Sequence, residues 1–83
     1  MRGITLKETI GFRITELCAK KGLSPYALAM ACGLDKSTIS SILGEKSKSP
    51  EVATVKKICD GLDITLGEFF STPEFDRLEQ EIQ

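Results

Sequence analysis

Ser24-Pro25-Tyr26-Ala27-Leu28-Ala29-Met30-Ala31-Cys32-Gly33-Leu34-Asp35-Lys36-Ser37-Thr38-Ile39-Ser40-Ser41-Ile42-Leu43-Gly44 is the stretch that decides the fold. Ser24 can cap free backbone N–H groups, and proline at the first helical position gives up no hydrogen bond it could have made. These residues predict a helix over about 25–32, stopped by Gly33. Leu34 then leads into Asp35, an N-cap type whose charge suits the positive end of a helix dipole. A further helix is therefore predicted from about Lys36 to Gly44, and two short helices flank a turn of about three residues.

The second of these helices sorts its side chains by face. At about 100° per residue, Lys36, Ser37, Ser40 and Ser41 share one arc and Ile39, Ile42 and Leu43 the opposite one. Half of the helix is core and half is a slim polar ridge, narrow enough for a DNA major groove about 12 Å wide. An ordinary amphipathic surface helix has the same pattern, so its neighbours must decide.

Working outward, Thr5-Leu6-Lys7-Glu8 has the form of a capping box and Gly22 supplies a stop, predicting a helix over about 6–21. Its Ile10, Ile14, Leu17 and Cys18 form one inward stripe, with Gly11 expected to weaken the early turns. Downstream, 44–49 reads as loop, and Pro50 opens a fourth helix to about Gly61. Val52, Val55, Ile58, Cys59 and Leu62 lie on one side of it. Thr65-Leu66-Gly67-Glu68 is a second capping box for a short helix through Phe70. Thr72-Pro73 starts a last segment over about 73–82, with Phe75, Leu78 and Ile82 as a narrow apolar stripe too short to stand alone.

The chain has 83 residues, enough for one small domain with a single core. Its net charge of −1 is unpromising for a nucleic-acid binder, but the charge is graded. Residues 1–35, 36–57 and 58–83 carry +2, +3 and −6. Screening over about 8 Å lets a phosphate sense the local positive charge more than the distant acidic end. With three cysteines in no CxxC spacing and no histidine, a zinc site or other metal is not expected, and the thiols are read as reduced core residues. No apolar run reaches the roughly 20 residues of a membrane span, and no secretion signal is seen, so a cytoplasmic protein is expected.

Over about residues 10–70 the chain resembles the Cro/phage-repressor (XRE) family. Leu28, Ala29, Gly33, Leu34, Ile39 and Ile42 match the packing and turn positions of its helix-turn-helix. Arg13-Ile14 with Leu17, and Lys21-Gly22-Leu23-Ser24, look like its first helix and exit. Thr54, Val55, Lys57, Ile58, Leu62, Ile64, Leu66, Phe69 and Phe70 resemble its fourth and fifth helices. The resemblance implies an all-α, compact five-helix lambda-repressor-like DNA-binding domain over 1–71, with a short helical extension over 72–83.

By the same resemblance, Lys36, Ser37, Ser40 and Ser41 would contact DNA bases. Ser24, Pro25 and Tyr26, with Lys46, Ser47 and Lys48 from the loop, would contact phosphates. The implied function is sequence-specific transcriptional regulation, as a repressor, by a homodimer on a two-fold operator in double-stranded DNA. No cofactor, small-molecule ligand, membrane or enzymatic activity is expected. Two departures from the family stand out: Pro25 replaces a frequent phosphate-touching glutamine, and Cys18 with Leu43 replaces a frequent arginine–glutamate pair by apolar residues. Phe12, Met30 and Ala31 are not needed by the core stripes and are candidates for a partner surface with Phe75, Leu78 and Ile82. The alternative reading is a protein-interaction module on the same fold, antitoxin-like or a phage regulatory partner.

Overall fold

A computed structural model describes residues 5–44 and 50–78, which form six helices and no strand. They are α1 (Leu6–Lys21), α2 (Pro25–Cys32), α3 (Lys36–Leu43), α4 (Val52–Leu62), α5 (Leu66–Phe70) and α6 (Pro73–Asp76). The helix starts follow local chemistry. The Thr5 hydroxyl accepts from the Glu8 N–H at 3.2 Å while the Thr5 N–H donates to Glu8 Oε1 at 3.0 Å. Thr65 and Glu68 repeat this reciprocal pair at α5 with 3.0 and 3.1 Å.

Three helices end in one way. After α1, α2 and α4, the first residue past the helix takes the left-handed conformation, and the next residue's N–H bonds back into the last turn. Those bonds are Leu23 to Cys18 O at 2.9 Å, Leu34 to Ala29 O at 2.9 Å and Ile64 to Cys59 O at 3.0 Å. Leu23, Leu34 and Ile64 then pack against the core, so each stop also fixes the direction of the following chain. Glycine fills the left-handed position after α1 and α2, whereas Asp63 fills it after α4 with φ 59°.

The core draws on every helix from α1 to α5. Ile10, Ile14 and Leu17 meet Leu28 and Ala29, Ile39 and Ile42, Val55, Ile58 and Leu62, and Phe69, all buried. Burying a side chain such as Phe69 contributes about 1.5–3 kcal/mol, so this shared cluster holds the short α2, α3 and α5 as helices. Phe75 of α6 packs on the same core through Phe70, their ring centroids 4.9 Å apart.

Two glycines lie where helices cross, one with room for a methyl and one without. A Cβ on Gly11 would lie 3.6 Å from Ile42 O and 3.8 Å from Leu43 Cδ2, which places α1 directly against the end of α3. On Gly61 it would overlap Cys32 Sγ and sit 3.3 Å from the Cys32 Cα and N, so α2 crosses α4 backbone to side chain with no space left.

Several expectations need correction. The fourth helix starts at Val52 behind Glu51, not at Pro50, and runs to Leu62 with Asp63 as its stop, so Gly61 is a packing residue and not a terminator. Val52 is 70% exposed and outside the core, one turn beyond where α4 has a neighbour to cover it. Asp35 and Thr72 occupy N-cap positions without a side-chain capping bond. The last helix ends at Asp76 among the described residues, and Ile82 lies outside them. Cys18 and Cys59 are buried, but Cys32 is only half-buried. Among the described residues, no helix is long and apolar enough to cross a membrane.

Candidate nucleic-acid interface

The predicted polar ridge is present on α3. Lys36, Ser37, Ser40 and Ser41 are exposed, while Ile39 and Ile42 on the opposite face are 1% and 5% exposed. The ridge therefore stands on a fully anchored helix, about 12 Å long at 1.5 Å per residue.

α2 lies across its start. The Ser24 hydroxyl caps α2 by accepting from the Ala27 N–H at 3.1 Å, Pro25 takes the first helical position, and both are exposed. The N-terminus of this eight-residue helix thus turns the Tyr26 N–H and its positive dipole end to solvent, a suitable arrangement for an anion, while the Ala27 and Leu28 N–H groups are taken by Ser24. Tyr26 is 54% exposed beside it. Its ring carries the Lys36 ammonium, with Nζ 5.2 Å from the ring centroid, so the predicted phosphate and base sets meet across the two helices. Lys46, Ser47 and Lys48 lie outside the described residues.

Two cations brace distant helix ends, Lys7 that of α3 and Arg13 that of α5, and sequence reasoning assigns neither of them this role. Lys7, on the first turn of α1, donates from Nζ to Ile42 O at 3.2 Å and to Gly44 O. It thereby satisfies carbonyls that a helix end leaves open and complements the negative end of the α3 dipole. α3 is thus tied to α1 at its C-terminus while Tyr26 meets its N-terminus. Arg13 does the same for α5, donating from Nε to Phe69 O at 2.8 Å and from Nη2 to Glu68 O at 2.7 Å. Its Nη1 also pairs with Glu16 at 2.7 Å, and this bond holds the Glu16 carboxyl below its ordinary range. The carbonyl contacts of Lys7 and Arg13 join residues 35 to 56 positions apart, so no local spacing signals them.

Of the apolar residues set aside as a partner surface, Phe12, Phe75 and Leu78 line one groove of about 390 Å³ between α1 and α6, with Arg13, Glu16 and Arg77 at its edge. Met30 and Ala31 are exposed but do not line it. Cys18 is buried and Leu43 packs against the core, so the two positions where the family often has an ion pair are both on the apolar side here. Burial pushes all three thiols up from their ordinary range.

Residues 13–74 match the profile of the Cro/C1-type HTH DNA-binding domain. Over 64 residues the chain is 39% identical to the HTH-type transcriptional regulator PuuR of Escherichia coli (strain K12), covering 77% of this chain and 34% of PuuR. The chain therefore spans about a third of the length of the curated relatives it matches. Among solved structures, prophage Lp1 protein 11 superposes with a TM-score of 0.83 at 28% identity, over 92% of this chain and 100% of that one. The protein C.Esp1396I, in a nucleoprotein complex, superposes with a TM-score of 0.71 at 26% identity, over 82% and 87%. The matched region holds α2 to α5 entire, together with most of α1. By the profile match over residues 13–74, the chain belongs to the Cro/C1-type helix-turn-helix DNA-binding domain family.

Proposed function

We propose that this chain is a sequence-specific DNA-binding transcriptional regulator, acting as a repressor, that places α3 in the major groove of double-stranded DNA. The observation that carries the reading is the exposed arc of Lys36, Ser37, Ser40 and Ser41 above buried Ile39 and Ile42. Those four side chains are assigned to base edges, and Ser24, Pro25 and Tyr26 with Lys46, Ser47 and Lys48 to phosphates. The naming of PuuR as a transcriptional regulator and the capture of C.Esp1396I with nucleic acid support it. A two-fold homodimer on half-sites roughly 34 Å apart is the assembly we assign. The domain proper is 1–71 with 72–83 as an extension, and the setting is the cytoplasm. A ridge of hydroxyls with one ammonium suits base edges better than a protein partner, because serine is depleted and aromatic residues are enriched where proteins dock.

Direct readout by one lysine and hydroxyls, without Arg, Asn or Gln, leaves much of the affinity to phosphates, so binding should fall steeply with salt. Selection of bound sequences from random duplexes tests the proposal. A two-fold site should emerge; Lys36→Ala should relax preference at one base step, while Lys46→Ala and Lys48→Ala weaken binding to all sequences and flatten the salt slope. Failure to enrich any sequence, with equal effects of all three variants on every duplex, would refute it.

A further inference from the structure

Proline at the start of α2 brings no side-chain hydrogen-bonding group and no N–H, so Pro25 cannot steady the neighbouring helix by a polar contact. The residue that reaches from α2 to the first residue of α3 is Tyr26. The Lys36 Nζ lies 5.2 Å from its ring centroid, inside the roughly 6 Å over which an aromatic face attracts a cation. Both side chains are exposed, and the ring is rooted on a helix whose next turn, Leu28 and Ala29, is fully buried. A lysine on a bare surface samples many rotamers, and fixing one is among the larger side-chain entropy losses on binding.

We infer that Tyr26 is a positioning residue for sequence readout: its ring holds the Lys36 ammonium at the start of the reading helix before DNA arrives. This rests on the DNA-binding reading above and adds to it a specific division of labour. The aromatic face, not the phenolic hydroxyl, governs discrimination through Lys36, because part of the ordering cost is met in the free protein. The hydroxyl is left to the phosphate backbone, where it contributes alike on every sequence. Closure of the duplex over the pair removes water and strengthens the attraction, so the contact persists in the complex.

The test uses the full chain with the selected duplex and a random duplex, and reads the ratio of the Kd for the random duplex to the Kd for the selected one. Tyr26→Leu, which keeps apolar bulk without a ring, should lower the ratio about two- to fivefold. Tyr26→Phe should keep the ratio while weakening both duplexes equally, and Tyr26→Leu added to Lys36→Ala should lower the ratio no further. In the free protein, NMR should place the Lys36 Hε protons upfield through the ring current in the parent and in Tyr26→Phe, and at ordinary lysine positions in Tyr26→Leu. An unchanged ratio in Tyr26→Leu, or Lys36 Hε shifts identical in the parent and Tyr26→Leu, would overturn the inference. A parent chain that prefers no duplex, with the ring shift intact, would instead refute the proposed function.

Discussion

Gly61→Ala is the substitution for which helix propensity and packing make opposite predictions. Gly61 lies one residue inside the C-terminal end of α4, and replacing a helical glycine by alanine ordinarily stabilises by about 0.5–1 kcal/mol. Here the added methyl would overlap Cys32 Sγ and press on the Cys32 Cα and N at 3.3 Å, so rotating the thiol away relieves only part of the crowding. Overpacking of this kind costs about 1–3 kcal/mol, and the net expectation is destabilisation by about 1–2 kcal/mol. For a domain of this size that corresponds to a Tm lower by about 4–16 °C, measured by circular dichroism at a fixed scan rate. Gly67→Ala is the internal comparison, since its methyl would meet only Thr65 Oγ1 at 3.7 Å. It should raise stability by about 0.4–1 kcal/mol. Combining Gly61→Ala with Cys32→Ala should recover about 0.5 kcal/mol or more beyond additivity, because the overlapping sulfur is gone. A Gly61→Ala protein that melts at or above the parent, or strict additivity with Cys32→Ala, would refute the claim that α2 and α4 cross at that residue without spare room.

Arg13→Met should cost about 2 kcal/mol in urea unfolding, since two helix-end carbonyls on α5 lose a charged donor, and Arg13→Lys should restore only part because an ammonium lacks the fork. Asp63→Gly should raise stability by about 0.5–1 kcal/mol in the same assay, as it relieves a left-handed non-glycine residue and removes a negative charge from the negative end of α4. Iodoacetamide at pH 7 followed by mass spectrometry should label Cys32 first and Cys18 and Cys59 far more slowly, with all three fast once the chain is unfolded. Labelling of Cys18 as fast as Cys32 in the native state would contradict the burial described.

The parts of the fold legible in the sequence are those set by contacts within four or five residues. Thr5 with Glu8, Ser24 with Pro25, and the stops at Gly22 and Gly33 fix the ends of α1 and α2, and the bounds read from them agree with the folded chain. The arc that separates Lys36 from Ile39 is likewise a property of one helix, so the exposed ridge could be foreseen. Where a boundary depends on what lies across the molecule, the reading slips. Val52 continues the apolar periodicity of α4 but extends past its neighbours, and Asp63 performs a stop that composition assigns to glycine. Gly11 reads as a weak point along its own helix, and the end of α3 that packs on it leaves room for a methyl at ordinary contact distance, which no local spacing shows. The bracing roles of Lys7 and Arg13 carry no signal in local spacing, because the carbonyls they serve belong to distant helix ends. The contact between Tyr26 and Lys36 is intermediate: both residues were singled out, but for different roles, and only the crossing of α2 and α3 brings them together.

In the proposed function, α2 and α3, braced together, present Lys36 and the serines after it to DNA. Amide ¹H–¹⁵N spectra recorded while the selected duplex is titrated into the full chain test it most directly. The largest shifts are expected at Lys36, Ser37, Ser40 and Ser41 and at the Tyr26 and Ala27 amides of the α2 N-terminus, with Phe12 and Phe75 in the α1–α6 groove little moved. Shifts concentrated on that groove, with the α3 ridge unmoved, would contradict it.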